Sequence, residues 1–132
     1  MDKVYVEEPW LTLRWDDTHH CVHSEWKAFA NSKEYRAALM KGLEAIRENH
    51  ATRYLTDTRK TRVIVHEDQA WVTDTWTPLA TAAGLKRVAV VLADAGLGKV
   101  TVEETVHMVD RPDLEVRTFD SVAAAQRWLA EP

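Results

Sequence analysis

Between Trp10 and Trp15 the residues Leu11, Leu13 and Trp15 fall on one side of an extended chain and Trp10, Thr12 and Arg14 on the other. That two-residue period predicts a β-strand. Asp16-Asp17 reads as a turn, and the period resumes from Thr18 to Trp26, with Val22 and Trp26 on one face and Cys21 and His23 on the other. The two segments pair naturally as an antiparallel hairpin, with Val4 to Val6 as a short leading strand. Asn31-Ser32 followed by Glu34 has the form of a helix N-cap with an acidic first turn, and Tyr35, Ala38, Leu39, Gly42, Leu43 and Ile46 then share one helical face. Arg53 to Asp57 predicts a short strand. The basic loop Arg59-Lys60-Thr61-Arg62 separates it from Val63 to Val65, which either extends the strand or belongs to the loop.

From His66 to Gln69 a second helical stretch opens, in which Val72, Trp76, Leu79 and Ala83 recur at helical spacing; Pro78 should kink or restart it and Gly84 stop it. Trp71 and Trp76 stand roughly 140° apart on an α-helix, so one of the two indoles is expected to face solvent. Lys86 to Ala93 contains a run apolar at every position from Val88, as for a strand covered on both faces and central in its sheet. A flexible loop is expected over Asp94 to Lys99. Val102, Thr105, Val106 and Val109 then predict a helix rich in β-branched residues, Pro112 a turn, and Leu114 to Phe119 a strand. Asp120 or Ser121 caps a last helix whose Val122, Ala125, Trp128 and Leu129 pack inward. The order is that of an α/β protein in which an N-terminal antiparallel hairpin leads into a mixed, mostly parallel sheet with about four helices.

At 132 residues with 45% hydrophobic side chains, the chain matches one domain spanning 1–132. Seventeen basic against 21 acidic side chains leave a net charge of -4, which argues against a phosphate-backbone grip and hence against nucleic acid as a partner. Cys21 is the single cysteine, so no intramolecular disulfide forms and a reducing compartment fits. The N-terminal Met-Asp-Lys-Val-Tyr-Val-Glu-Glu lacks an apolar signal core, and Val88 to Ala93 is too short to cross a bilayer. The expectation is a cytoplasmic protein without membrane insertion.

Several segments are similar to the STAS domain, the fold of bacterial anti-sigma-factor antagonists within the broad STAS/SEC14 group, in its stand-alone, SpoIIAA-like form. They are Trp26-Lys-Ala-Phe29, Ser32-Lys-Glu-Tyr-Arg36 with Gly42-Leu43-Glu44, Leu55-Thr-Asp57-Thr-Arg59, and Trp71 with Trp76-Thr-Pro78. Ala83-Gly-Leu-Lys-Arg-Val-Ala-Val90 and Phe119-Asp-Ser with Ala125-Gln-Arg-Trp-Leu129 complete the set. The resemblance implies an α/β fold and a regulatory or binding role, and from the SEC14 side an apolar pocket for a lipid-like or aromatic molecule. Phosphoregulated STAS proteins place a serine two residues after an aspartate, where this chain has Arg59 after Asp57; Thr58 and Thr61 are the nearby hydroxyls.

Ligands in open α/β sheets gather beyond the carboxyl ends of the strands. Asp57, Thr58, Arg59 and Arg62 occupy such an edge, where guanidinium groups suit an anion or a partner's carboxylate. Trp71 and Trp76 are candidates for an adjoining apolar wall. His19, Cys21 and His23 fall at alternate positions of the predicted strand and would share a face suited to a soft metal; Cys21 is alternatively a small buried hydrophobe, and neither Cys-x-x-Cys nor His-x-x-x-His completes a site. Gly96-Leu-Gly98-Lys99-Val-Thr101 lacks the spacing of a phosphate-binding loop and reads as a mobile turn. Three functions remain in order: a non-enzymatic module contacting a protein or small organic ligand at the Asp57 to Arg62 edge; a carrier of a lipid-like or aromatic molecule; and a hydrolase-type enzyme with Asp57 and His66 as its acid-base pair. No catalytic set or cofactor motif is complete. Exposed indoles and a hairpin edge are compatible with a homodimer.

Overall fold

The computed structural model describes residues 1–132. Six strands, β1 (Lys3–Glu8), β2 (Leu11–Asp16), β3 (Cys21–Trp26), β4 (Arg53–Asp57), β5 (Arg87–Val91) and β6 (Glu115–Phe119), form one sheet in the order of the sequence. β1, β2 and β3 are antiparallel neighbours, and β3 through β6 run parallel. Helix α1 (Ser32–Asn49) joins β3 to β4, and α4 (Leu97–Met108) joins β5 to β6. Between β4 and β5 lie α2 (His66–Trp71), a π-helical turn (Val72–Trp76) and α3 (Thr77–Ala82), which follow one another without a break; α5 (Val122–Leu129) closes the chain.

Strand order explains the layering. Parallel crossovers are right-handed, so three successive crossovers that all step the same way along a sheet must place their helices on the same face. The connections carrying α1, α2–α3 and α4 therefore cover one face, and α5 alone is left for the other, where it packs on β4, β5 and β6. The larger core, on the three-crossover face, includes Leu11, Leu13, Trp15, Val22, Tyr54 and Trp76. The smaller core under α5 joins Cys21, Leu55, Ala89, Val91, Ala125 and Trp128.

Local chemistry agrees with this layout at several points. Asn31 accepts from the Glu34 backbone N–H at 2.8 Å while the Glu34 carboxylate accepts from the Asn31 N–H at 3.0 Å, a full capping box. Ser121 rather than Asp120 caps α5. Val63 to Val65 is loop, and β5 lies second from the β6 edge rather than at the centre, although it is flanked on both sides as an apolar strand requires. Two further expectations are corrected. Thr18 to His20 is turn, so β3 starts at Cys21. The supposed mobile turn at Gly96 to Lys99 is the start of α4: Gly96 takes φ 106°, which favours glycine, and a side chain on Gly98 would collide with the Thr61 carbonyl.

Candidate functional site

The three-crossover layer does not close on the sheet everywhere. A cavity of about 110 Å³ lies between them, and 14 of its 19 lining residues are hydrophobic. Its floor is the inward side of the parallel strands, with Tyr54, Thr56, Val88 and Val90. Its roof comes from Tyr35 and Leu39 of α1, Val72 and Trp76 of the π-helical turn, and Val102 and Val106 of α4. No charged side chain lines it. Burial pushes the phenol pKa of both Tyr35 and Tyr54 upward, the response of a low-dielectric enclosure that penalises charge.

The other five lining residues are all threonines. Four have their hydroxyls engaged. Thr58 Oγ1 donates to the Val91 carbonyl at 2.6 Å, Thr77 to Val72 at 2.8 Å and Thr105 to Thr101 at 2.7 Å, while Thr56 Oγ1 accepts from Ser24 at 2.9 Å. Thr61 Oγ1 is shut off from solvent and has no partner, a state that costs about 1–3 kcal/mol if nothing satisfies it.

The π-helical turn gives the roof its shape. The Thr77 N–H reaches back to the Val72 carbonyl, five residues away, immediately before Pro78, which has no N–H to continue an α-helical ladder. Trp71 and Trp76 sit apart, but neither faces solvent outright. Trp76 is buried, donates its indole N–H to the Leu39 carbonyl at 2.6 Å and meets Tyr54 edge-on at 5.6 Å. Trp71 is half-buried beneath the Arg36 guanidinium, 5.4 Å from the ring centre, and is not part of the cavity wall. Arg36 in turn donates to buried Asp68 at 2.8 Å, as does Ser32 at 2.7 Å, tying α1 to α2.

The edge beyond β4 divides between the two faces. Thr58 and Thr61 line the cavity, whereas Asp57 falls on the α5 side with Leu55, opposite Glu25. Arg59 closes on Asp57 with two bonds of 2.9 and 2.7 Å. Burial raises the Asp57 pKa, but those bonds outweigh it and leave the net value below the ordinary carboxylate range. Asp57 has His23, not exposed His66, in its electrostatic neighbourhood, so the structure does not bring the proposed acid-base pair together.

On the same side, Arg14 lies 3.2 Å from His23 Nδ1; burial and then the Arg14 charge lower the His23 pKa. His19 sits in the turn, 2.7 Å from Asp16, and does not share a strand face with Cys21 and His23. No three His, Cys, Asp or Glu side chains converge as metal ligands. Burial pushes the Cys21 thiol up to about 12, far from a reactive thiolate.

Next to the cavity, outside the β4 and β5 ends, lies a second and open depression. Arg59, Lys60, Arg62 and Lys99 line it together with Gly96 and Gly98, and no acidic residue does. Lys60 and Arg62 have no ion-pair partner. Thr61 is the one residue common to the depression and the cavity. The sequence pointed to the Asp57 to Arg62 edge but missed the α4 contribution, because the Gly-rich start of that helix resembles a loop. It also missed the five threonines, which are scattered through the chain and converge only in three dimensions. No helix is long and apolar enough to cross a membrane. Comparison with family models, curated proteins and solved structures finds no significant match.

Proposed function

We propose that the protein is a non-enzymatic binding module whose ligand is a small organic molecule seated in the cavity between the sheet and the helices of its three crossovers. The observation that carries this reading is an apolar enclosure holding one solvent-excluded hydroxyl, Thr61 Oγ1, without a partner. Pockets of that composition bind by burying an apolar body and use a few polar groups for orientation. A π-helical turn in the wall fits the same role, since such turns recur at functional sites.

The volume restricts the ligand. A dry cavity of about 150 Å³ holds a benzene ring, so the ~110 Å³ here suits a single ring or a branched group of about four to six carbons. A full acyl chain does not fit. Of the two ligand classes drawn from the SEC14 side of the STAS resemblance, the aromatic one is favoured and lipid carriage disfavoured. The same resemblance supports a regulatory output, in which occupancy of the cavity is reported to a protein partner across the β4 and β5 edge.

Thermal unfolding in the presence of benzene or toluene, together with native mass spectrometry of the purified chain, tests the proposal. A ligand at one hundred times its Kd stabilises the fold by about 2.7 kcal/mol. An upward shift in Tm that saturates with probe is expected. No shift with any single-ring or branched-chain probe, and no co-purifying organic mass, would rule the cavity out as a binding site.

A further inference from the structure

We infer that the ligand is a small organic anion, a monocarboxylate with a compact apolar body, whose body fills the cavity while its charged head lies at the Lys60, Arg62 and Lys99 rim. The inference rests on the binding reading above and adds the chemical class of the ligand. Three independent observations lead to it.

First, the cavity rejects charge. No ionised side chain lines it, and its polar side-chain atoms are phenols, threonine hydroxyls and indole N–H groups, so a carboxylate cannot rest inside without losing its solvation. Second, the adjacent depression selects negative charge. In a chain of net charge -4, four cations and no acid surround it, and of these only Arg59 is tied up in an ion pair, with Asp57. The first turn of α4 opens into the same depression at Gly96, which has no side chain to cap the free N–H groups, and no acidic residue occupies that turn. Third, the two compartments meet at Thr61, whose hydroxyl is buried and unpartnered. A hydroxyl at such a boundary donates to a carboxylate oxygen, and Lys60 and Arg62 on either side supply the counter-charge.

The rest of the connection keeps Thr61 in place. The Ile64 N–H donates to Thr101 Oγ1 at 3.0 Å, Gln69 Nε2 donates to the Thr101 carbonyl at 3.0 Å, and Gly98 lets α4 approach the Thr61 backbone. Head recognition is therefore built on a connection pinned to a helix.

Amide NMR titration of the full chain with isovalerate, isopentanol and acetate separates the terms. Isovalerate and isopentanol share the apolar body, and acetate keeps little more than the head. Isovalerate should perturb both Val102 and Lys60 amides and bind about tenfold more tightly than isopentanol, the contribution of one charge-assisted hydrogen bond. In the double variant Lys60→Gln, Arg62→Gln, whose changes fall on side chains without ion-pair partners, that preference should collapse while isopentanol binding stays the same.

Equal affinity for isopentanol and isovalerate would overturn the anionic head and leave the cavity reading standing. Acetate binding as tightly as isovalerate would show a bare anion site and overturn the joint body-and-head class. If neither isovalerate nor isopentanol perturbs the cavity residues, the cavity reading fails and the inference falls with it.

Discussion

Val102→Phe puts an added ring into the empty space and isolates the energetics of the cavity. Val102 is 4% exposed and lines the cavity from α4, and valine and phenylalanine have similar helix propensity, so the backbone contribution nearly cancels. Cavities cost about 24 cal/mol per Å³, which for 110 Å³ sets a ceiling of about 2.6 kcal/mol on what filling can return. Forcing a ring into an imperfect shape gives back about 1 kcal/mol or more. The expected net gain is therefore about 1 kcal/mol. With a urea m-value of about 2 kcal/mol/M, this appears as a rise of about 0.5 M in the unfolding midpoint at unchanged slope. The same variant should lose the benzene-induced rise in Tm, because probe and side chain compete for one volume. Val102→Ala makes the reverse test: it enlarges the void, should cost about 2 kcal/mol and should keep or strengthen benzene binding. If Val102→Phe is destabilised by about 1 kcal/mol or more and still responds to benzene, the void is not where the side chain points and the energetic argument is refuted.

Gly98→Ala drives a methyl group into the Thr61 carbonyl and should cost about 2 kcal/mol or more in urea unfolding despite the better helix former; a neutral or stabilising result would show that α4 does not hold the connection. His23 has its pKa lowered by burial and by Arg14, so the folded state resists a proton that the unfolded chain accepts below about 6.5. Stability should fall as pH drops through that value toward the folded pKa, and His23→Gln should flatten this part of the pH profile of the unfolding midpoint. Cys21, fully buried and with its thiol pushed up to about 12, should resist aromatic disulfide reagents in the native state and react once urea unfolds the chain; rapid native labelling would contradict the packing under α5.

Local pattern in the sequence carried the α/β class, the Asn31 N-cap with its acidic first turn, the bounds of β4 and the inward faces of Leu11, Leu13 and Trp15, because each depends on neighbours within a few residues. It also marked Asp57 to Arg62 as the chemically loaded edge, since charges at a strand end are visible locally. It could not assign those residues to faces. Asp57 and Thr58 are adjacent in the chain, yet alternation about the strand sends one to the α5 side and the other to the cavity. The expected alignment of His19 with Cys21 and His23 failed because Thr18 to His20 form turn instead of strand, and Trp71 does not face solvent outright because the Arg36 guanidinium, from a helix distant in sequence, covers its ring. The cavity, its threonines and the unpartnered Thr61 hydroxyl were decided by tertiary structure alone. They depend on how far α4 and the π-helical turn stand off the sheet, a distance set by the packing of side chains far apart in the sequence and written in no single segment of it.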